Sequence, residues 1–193
     1  MQIQLPKLVK IDPNKPIDTR KKILLLSDDL RFQSGIATMS RELVLGTADR
    51  FRWVQLAAAL QHPEHGKIID LSESIKKDRG IENADVKLFC HTTYGSIPVL
   101  REILQHEKPD AIMLFTDPRH WMWFWPFEHE LKTKYKIPLV YLSIWDNFPV
   151  SVWNSSFYAS CDLLMGISRQ SHENHKSVLD YHQTSWIDLD RQN

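Results

Sequence analysis

A chain of 193 residues, 42% hydrophobic and 25% charged, has the balance of an ordinary globular protein with room for one sizeable core. Its 24 basic and 24 acidic side chains cancel, so no global field draws it to nucleic acid or to an anionic membrane surface. No run of about 18 apolar residues is present to form a transmembrane helix. Cys90 and Cys161 lie far apart, each in or beside an apolar run. That is the pattern of reduced core thiols in a cytoplasmic protein, not of a disulfide framework.

Taken in chain order, residues 1–20 hold three prolines and scattered charge without a period of 2 or 3.6, and read as an extended arm or leader. "KILLLS" is a continuous apolar run, as expected of a strand covered on both faces. "GIATMSRELVLGTAD" predicts a helix with Ile36, Met39, Leu43 and Val44 on its apolar face and Gly46 near its end. "FRWVQLAAAL", "KIIDLS" and "VKLFCH" predict three further strands, with residues 72–85 a polar connection between the last two. "SIPVLREILQHEKP" predicts a helix, "DAIMLF" a strand and "WMWFWPFEHELKTKY" a helix. "IPLVYLSI" predicts a strand, "SVWNSSFYASC" a short helix, "DLLMGIS" a strand and "RQSHENHKSVLDY" a closing helix. This alternation specifies an α/β domain, a Rossmann-like parallel sheet with helices on both faces, over 21–182. Residues 183–193 read as a tail or the start of another element.

Ligands of open parallel sheets bind beyond the carboxyl ends of the strands. Here those ends lead into "SDDLRFQSG", "TDPRHW", "WDNFP" and "SRQSH", four loops rich in Asp, Arg and Ser. Any one such residue also suits a helix cap or turn. Together they suit a hydroxyl-rich or phosphate-bearing ligand. Ser34 and Gly35 open a helix where backbone N–H groups and the helix dipole favour an anion. Neither a GxGxxG nor a GxxxxGK[ST] motif occurs. Asp28 and Asp29 also admit a divalent-metal or receiver-type phosphoacceptor reading, although the strand-end loops offer no companion lysine.

Three of the seven tryptophans crowd into "WMWFW". Trp121, Phe124 and Trp125 have the i, i+3, i+4 spacing of a core face, which leaves Asp117, Arg119 and His120 as the ligand contacts of that segment. Trp145 and Trp153 either line a pocket or brace a loop. The nine histidines include His62/His65 and His172/His175 at i, i+3, but no HExxH or other metal spacing accompanies them. Solvated or capping histidines are expected, with no metal. No GxSxG nucleophile motif occurs.

In order and spacing, "ILLLSDDLRFQSGIATMSRELV", "KPDAIMLF", "IPLVYLSIWDNFP" and "YASCDLLMGISRQSHE" resemble the N-terminal domain of family-four glycosyltransferases of the GT-B fold, from about Lys22 to Tyr181. The resemblance implies a chain that binds a hydroxyl acceptor while a second domain binds the nucleotide-sugar. That donor is a co-substrate, no further cofactor is needed, and transfer proceeds with retention. It implies that Ser34 and Gly35 approach the donor phosphates and that Asp146 and Asn147 face the transferred sugar. Asp117, Arg119, His120 and Trp145 would then surround the acceptor. Members often carry a histidine where this chain has Trp145, which cannot accept a proton. The second domain, with its donor-binding glutamates, does not lie within these 193 residues, so the chain reads as the acceptor-side part, incomplete as a catalyst by itself. A non-catalytic Rossmann-like binding or assembly module is the alternative.

Overall fold

The computed structural model describes residues 18–190, with side chains described to residue 180. Seven strands form one sheet in the order β3-β4-β2-β1-β5-β6-β7. They are β1 (Lys22–Asp28), β2 (Arg52–Ala59), β3 (Ile68–Asp70), β4 (Val86–Thr92), β5 (Ala111–Phe115), β6 (Leu139–Ser143) and β7 (Leu163–Gly166). Every pairing is parallel except the edge pairing of β3 with β4. The chain builds outward from β1 through β2 to β4, then returns to the other side of β1 as β5. This reversal creates a crevice between the carboxyl ends of β1 and β5. The expected Rossmann-like architecture is present.

Burial on both faces explains the apolar runs. Leu24, Leu25 and Leu26 of β1 are all 0% exposed. Leu24 and Leu26 enter one core with Leu56, Leu100, Ile103 and Tyr141. Leu25 enters the other with Val44, Trp53, Ile75 and Phe115. Each fully buried leucine stabilises the fold by about 1.5–3 kcal/mol relative to exposure. Helices α1 (Gly35–Leu45) and α2 (Ser72–Arg79) cover the second core. The first is covered by α3 (Ile97–Glu107), the segment 118–135, α5 (Ser155–Ala159) and α6 (Arg169–Asp190).

The structure corrects several element expectations. Residues 72–79 form α2 rather than an irregular connection; only Ile75 is buried there, so no apolar period betrays the helix. Glu73 in its first turn and Lys76, Lys77 and Arg79 in its last complement the helix dipole. The expected helix over 121–135 is broken into 3₁₀ turns at Pro118–Trp121 and Trp125–Phe127, a single turn α4 (Glu128–Glu130) and a π turn at Leu131–Tyr135. Pro126 lacks the N–H that a continuous helix needs at that point. Trp121, Phe124 and Trp125 nonetheless fill the core, as their spacing implies. In α1 the buried positions are Ala37, Ser40 and Val44, whereas Met39 is 50% exposed. Helix α6 continues past residue 182 to Asp190, so the first part of the expected tail is helical. Most of the expected N-terminal arm, residues 1–17, lies outside the described residues, as do 191–193.

The turn from β4 into α3 depends on Gly95. Its φ is +84°, and a Cβ there would sit 2.7 Å from Leu56 Cδ2 in the closed core. Gly95→Ala is therefore expected to lower stability by about 2 kcal/mol, combining left-handed strain with overpacking. Urea unfolding measures it; an unchanged midpoint would show that this turn is not held as described.

Candidate functional site

At the carboxyl end of β1, adjacent aspartates point opposite ways. Asp28 faces the crevice, half-buried, and its carboxylate accepts hydrogen bonds from the Ser34 hydroxyl (2.9 Å) and the Tyr94 hydroxyl (3.2 Å). Ser34 is also the N-cap of α1, accepting from the Ala37 N–H at 2.9 Å. Its hydroxyl is thus committed to capping, and Asp28 already uses the positive end of that helix. A phosphate near Gly35 would meet this carboxylate as well as the helix dipole. Gly35 itself has neither strain nor crowding: nothing lies within 4 Å of a Cβ placed there.

Asp29 turns inward and is 0% exposed. Arg31 folds back on it through Nη2 (2.7 Å), Nε (3.1 Å) and its own N–H (2.8 Å). His62 Nε2 lies 2.9 Å from the same carboxylate. His62 Nδ1 accepts from the Glu64 N–H at 3.1 Å, so the proton is on Nε2 and is donated to Asp29. Glu64 in turn pairs with Arg31 at 2.7 Å. Burial alone would raise the Asp29 carboxyl; the hydrogen bonds from Arg31 and His62 outweigh it and hold the group below the usual carboxylate range. Buried Gln55 of β2 completes the loop, donating to Asp28 O (2.7 Å) and accepting from Leu30 N–H (3.2 Å).

One ligand atom from each of Asp29, His62 and Cys90 lies within 4.8 Å of the others, a convergence that invites a metal. The chemistry does not fit one. The Arg31 guanidinium stands among them, 2.7 Å from Asp29 Oδ2 and 3.3 Å from Cys90 Sγ. Both nitrogens of His62 are engaged, and burial pushes the Cys90 thiol up, away from the thiolate that a metal requires. The cluster is an ion-pair network in the core. It removes Asp29 from the receiver-type reading, and it shows His62 to be a buried partner of Asp29 rather than a solvated histidine. His175 is likewise buried, which lowers its imidazole to about 4.

The other strand ends meet the same crevice. Asp117, which ends the loop after β5, caps the 3₁₀ turn and holds Arg119 through its N–H (2.9 Å), Nε (3.0 Å) and Nη2 (2.5 Å). Burial opposes ionisation of Asp117, but these bonds keep its carboxyl below the ordinary range. Arg119 spans to the β6 loop, its guanidinium carbon 5.0 Å from the Trp145 ring centroid. His120 stacks on Tyr94 at 4.4 Å and 9°. Burial, reinforced by the Asp28 carboxylate, pushes the Tyr94 phenol up to about 12, so it donates at neutral pH. Trp145 braces its own loop: Nε1 donates to Ser151 Oγ at 2.6 Å, and its ring meets Trp153 edge-on at 5.0 Å. The Asp146 and Asn147 carbonyls accept from Gln170 (2.8 Å) and Asn174 (3.1 Å) of α6. Their side chains are exposed and bonded to no described residue.

Residues chosen from separate loops are therefore linked along one rim, Ser34–Asp28–Tyr94–His120 on one side and Asp117–Arg119–Trp145 on the other. Sequence reasoning missed Tyr94, Gln55 and the Asp29–His62 pair. A lone Gln within the apolar run "WVQLAAA" was the one readable signal. No protein-family model matches the chain, and no curated protein matches it in sequence.

Because the folded Asp29 carboxyl titrates below its unfolded value, its contribution is present above about pH 4 and is lost as pH falls further. Asp29→Asn should cost about 3 kcal/mol at pH 7 and less near pH 3. Urea unfolding of both proteins across that range tests this; a pH-independent difference would contradict the network.

Proposed function

We propose that this chain is the acceptor-side domain of a retaining glycosyltransferase, binding a hydroxyl-bearing acceptor at the β1–β5–β6 rim opposite a nucleotide-sugar held by a second domain. The observation that carries the reading is the gathering of hydroxyl-recognising groups along that rim: Asp28, Arg119, His120 and the uncommitted Asp146 and Asn147. Sugars are recognised by planar bidentate side chains and carboxylates of this kind, and Trp145 and His120 add ring faces. Asp146 would accept a hydrogen bond from the reacting sugar, with Asn147 beside it. Gly35, a glycine that the fold does not require, would admit the donor close to the α1 N-terminus. Such a domain works by positioning, while the leaving diphosphate is stabilised by groups supplied from elsewhere.

The second reading, a non-catalytic binding or assembly module, is favoured by one observation. Asp117 and Arg119 largely satisfy each other, leaving Asp146 as the carboxylate with least internal engagement.

Saturation-transfer NMR with a panel of methyl hexosides tests the binding claim. The wild-type chain should bind at least one of them, and Asp146→Ala and Arg119→Ala should each weaken it tenfold or more. Absence of any hexoside binding, or unaltered binding in Asp146→Ala, removes the acceptor site from this rim. Gly35→Val should keep the thermal midpoint within about 2 °C while abolishing transfer by the complete enzyme. Full transfer in that variant would take Gly35 out of the site.

A further inference from the structure

Past Asp146 and Asn147, the loop after β6 carries apolar surface that neither core uses. Phe148 is 88% exposed, Trp153 is 52% exposed, and Val152 beside it is 39% exposed. None of the three belongs to either hydrophobic cluster, so burial on folding does not account for them. Single exposed apolar residues are ordinary, but several on one short loop mark a binding surface. The loop is also fastened. Trp145 Nε1 donates to Ser151, and the Asp146 and Asn147 carbonyls accept from Gln170 and Asn174 of α6. A ring presented on a fastened loop meets a ligand at little further cost in conformational entropy.

Trp153 is the one of these residues tied directly to the rim. Its ring meets that of Trp145 edge-on, centroids 5.0 Å apart at 86°, and Trp145 in turn carries the Arg119 guanidinium 5.0 Å from its own centroid. An edge-on contact covers at most one face of either ring. At least one indole face of Trp153 therefore has no aromatic partner among the described residues. Its Nε1–H donates to no described residue.

Those two properties select the chemistry of a ligand. A pyranose has an apolar C–H face and a rim of hydroxyls, so it can lie on an indole face and accept from an indole N–H at its edge. A plain aryl group would use the face and leave the donor unmatched. The separation of the two tryptophan rings also matches the step from one pyranose to the next in a chain of sugars.

We propose that Trp153 forms a second sugar subsite beside the one at Arg119, Trp145 and Asp146, so that the acceptor is a saccharide of at least two rings. The claim rests on the acceptor reading of the rim and adds to it the length of the acceptor.

Saturation-transfer NMR titrations of the whole chain test it, with the methyl glycosides of glucose, galactose and mannose set against cellobiose, maltose, lactose and mannobiose. At least one disaccharide should bind about tenfold more tightly than the methyl glycosides of its component sugars, the worth of one stacked ring. A 4-nitrophenyl hexoside should gain less. In Trp153→Ala the ratio of disaccharide to hexoside affinity should fall to about one. Should that variant lower the thermal midpoint, Trp153→Leu, which keeps an apolar contact with Trp145 but removes the ring, reads the same ratio. Hexoside binding with no disaccharide tighter, a gain that survives loss of the Trp153 ring, or an equal gain for the 4-nitrophenyl hexoside would each overturn the subsite while leaving the acceptor reading intact. Binding of neither hexosides nor disaccharides would overturn both.

Discussion

The buried carboxylate of Asp29 governs the path of the chain between β1 and α1. A charge taken wholly out of water must be satisfied on all sides or it destabilises the fold by several kcal/mol. Here the satisfaction comes from Arg31 two residues on and from His62, thirty-three positions away in sequence. Both partners lie in loops, so the ion pair fixes two loops at once. With Asp29 turned inward, strand alternation turns Asp28 outward, and Ser34 is brought back to cap α1 while bonding Asp28. The connection over 60–67 is tied down through His62 and Glu64, and its next residues, His65 and Lys67, then fall beside β4. The Asp28 end of the rim and the start of the 60–67 connection are thus held by one ionic network.

Strands were legible because they are covered on both faces. "KILLLS", "DAIMLF" and "PLVYLS" read as continuous apolar runs, and those runs lie within or around β1, β5 and β6. The parallel order followed from the alternation of strands and helices. Elements whose stability comes from something other than an apolar stripe were harder to read. Helix α2 buries a single residue and is shaped by charge placement and by Gly80, at φ +70°, closing its end. The segment 118–135 has a helical apolar spacing, and its tryptophans are buried as that spacing implies, but two prolines divide the backbone into short turns. Local pattern thus identified what is buried without identifying the backbone that buries it.

The candidate site was legible by position and much less so by role. The strand-end rule locates Asp28, Asp117 and Asp146 at one edge of the sheet, because parallel strands all end there. It cannot separate neighbours such as Asp28 and Asp29, whose difference is set by a histidine from another loop. Nor does it find Tyr94, which enters the crevice from β4 only because Gly95 allows a left-handed turn against Leu56. Long-range partners of this kind leave no periodic trace in sequence.

The distribution of charge along the rim bears on what a ligand there must be. Of the arginines near it, Arg31 is held by Asp29 and Glu64, and Arg119 by Asp117. Their positive charge is matched before any ligand arrives. The α1 N-terminus, ordinarily an anion site, has Asp28 beside its capping serine. A phosphate at the α1 N-terminus would therefore meet a field close to neutral, with an acidic group beside the backbone N–H groups offered there. Hydroxyl groups face no such penalty, since carboxylates accept from them and paired guanidiniums still donate through their outer N–H groups. On electrostatic grounds, then, the rim suits a neutral, hydroxylated ligand better than a phosphorylated one.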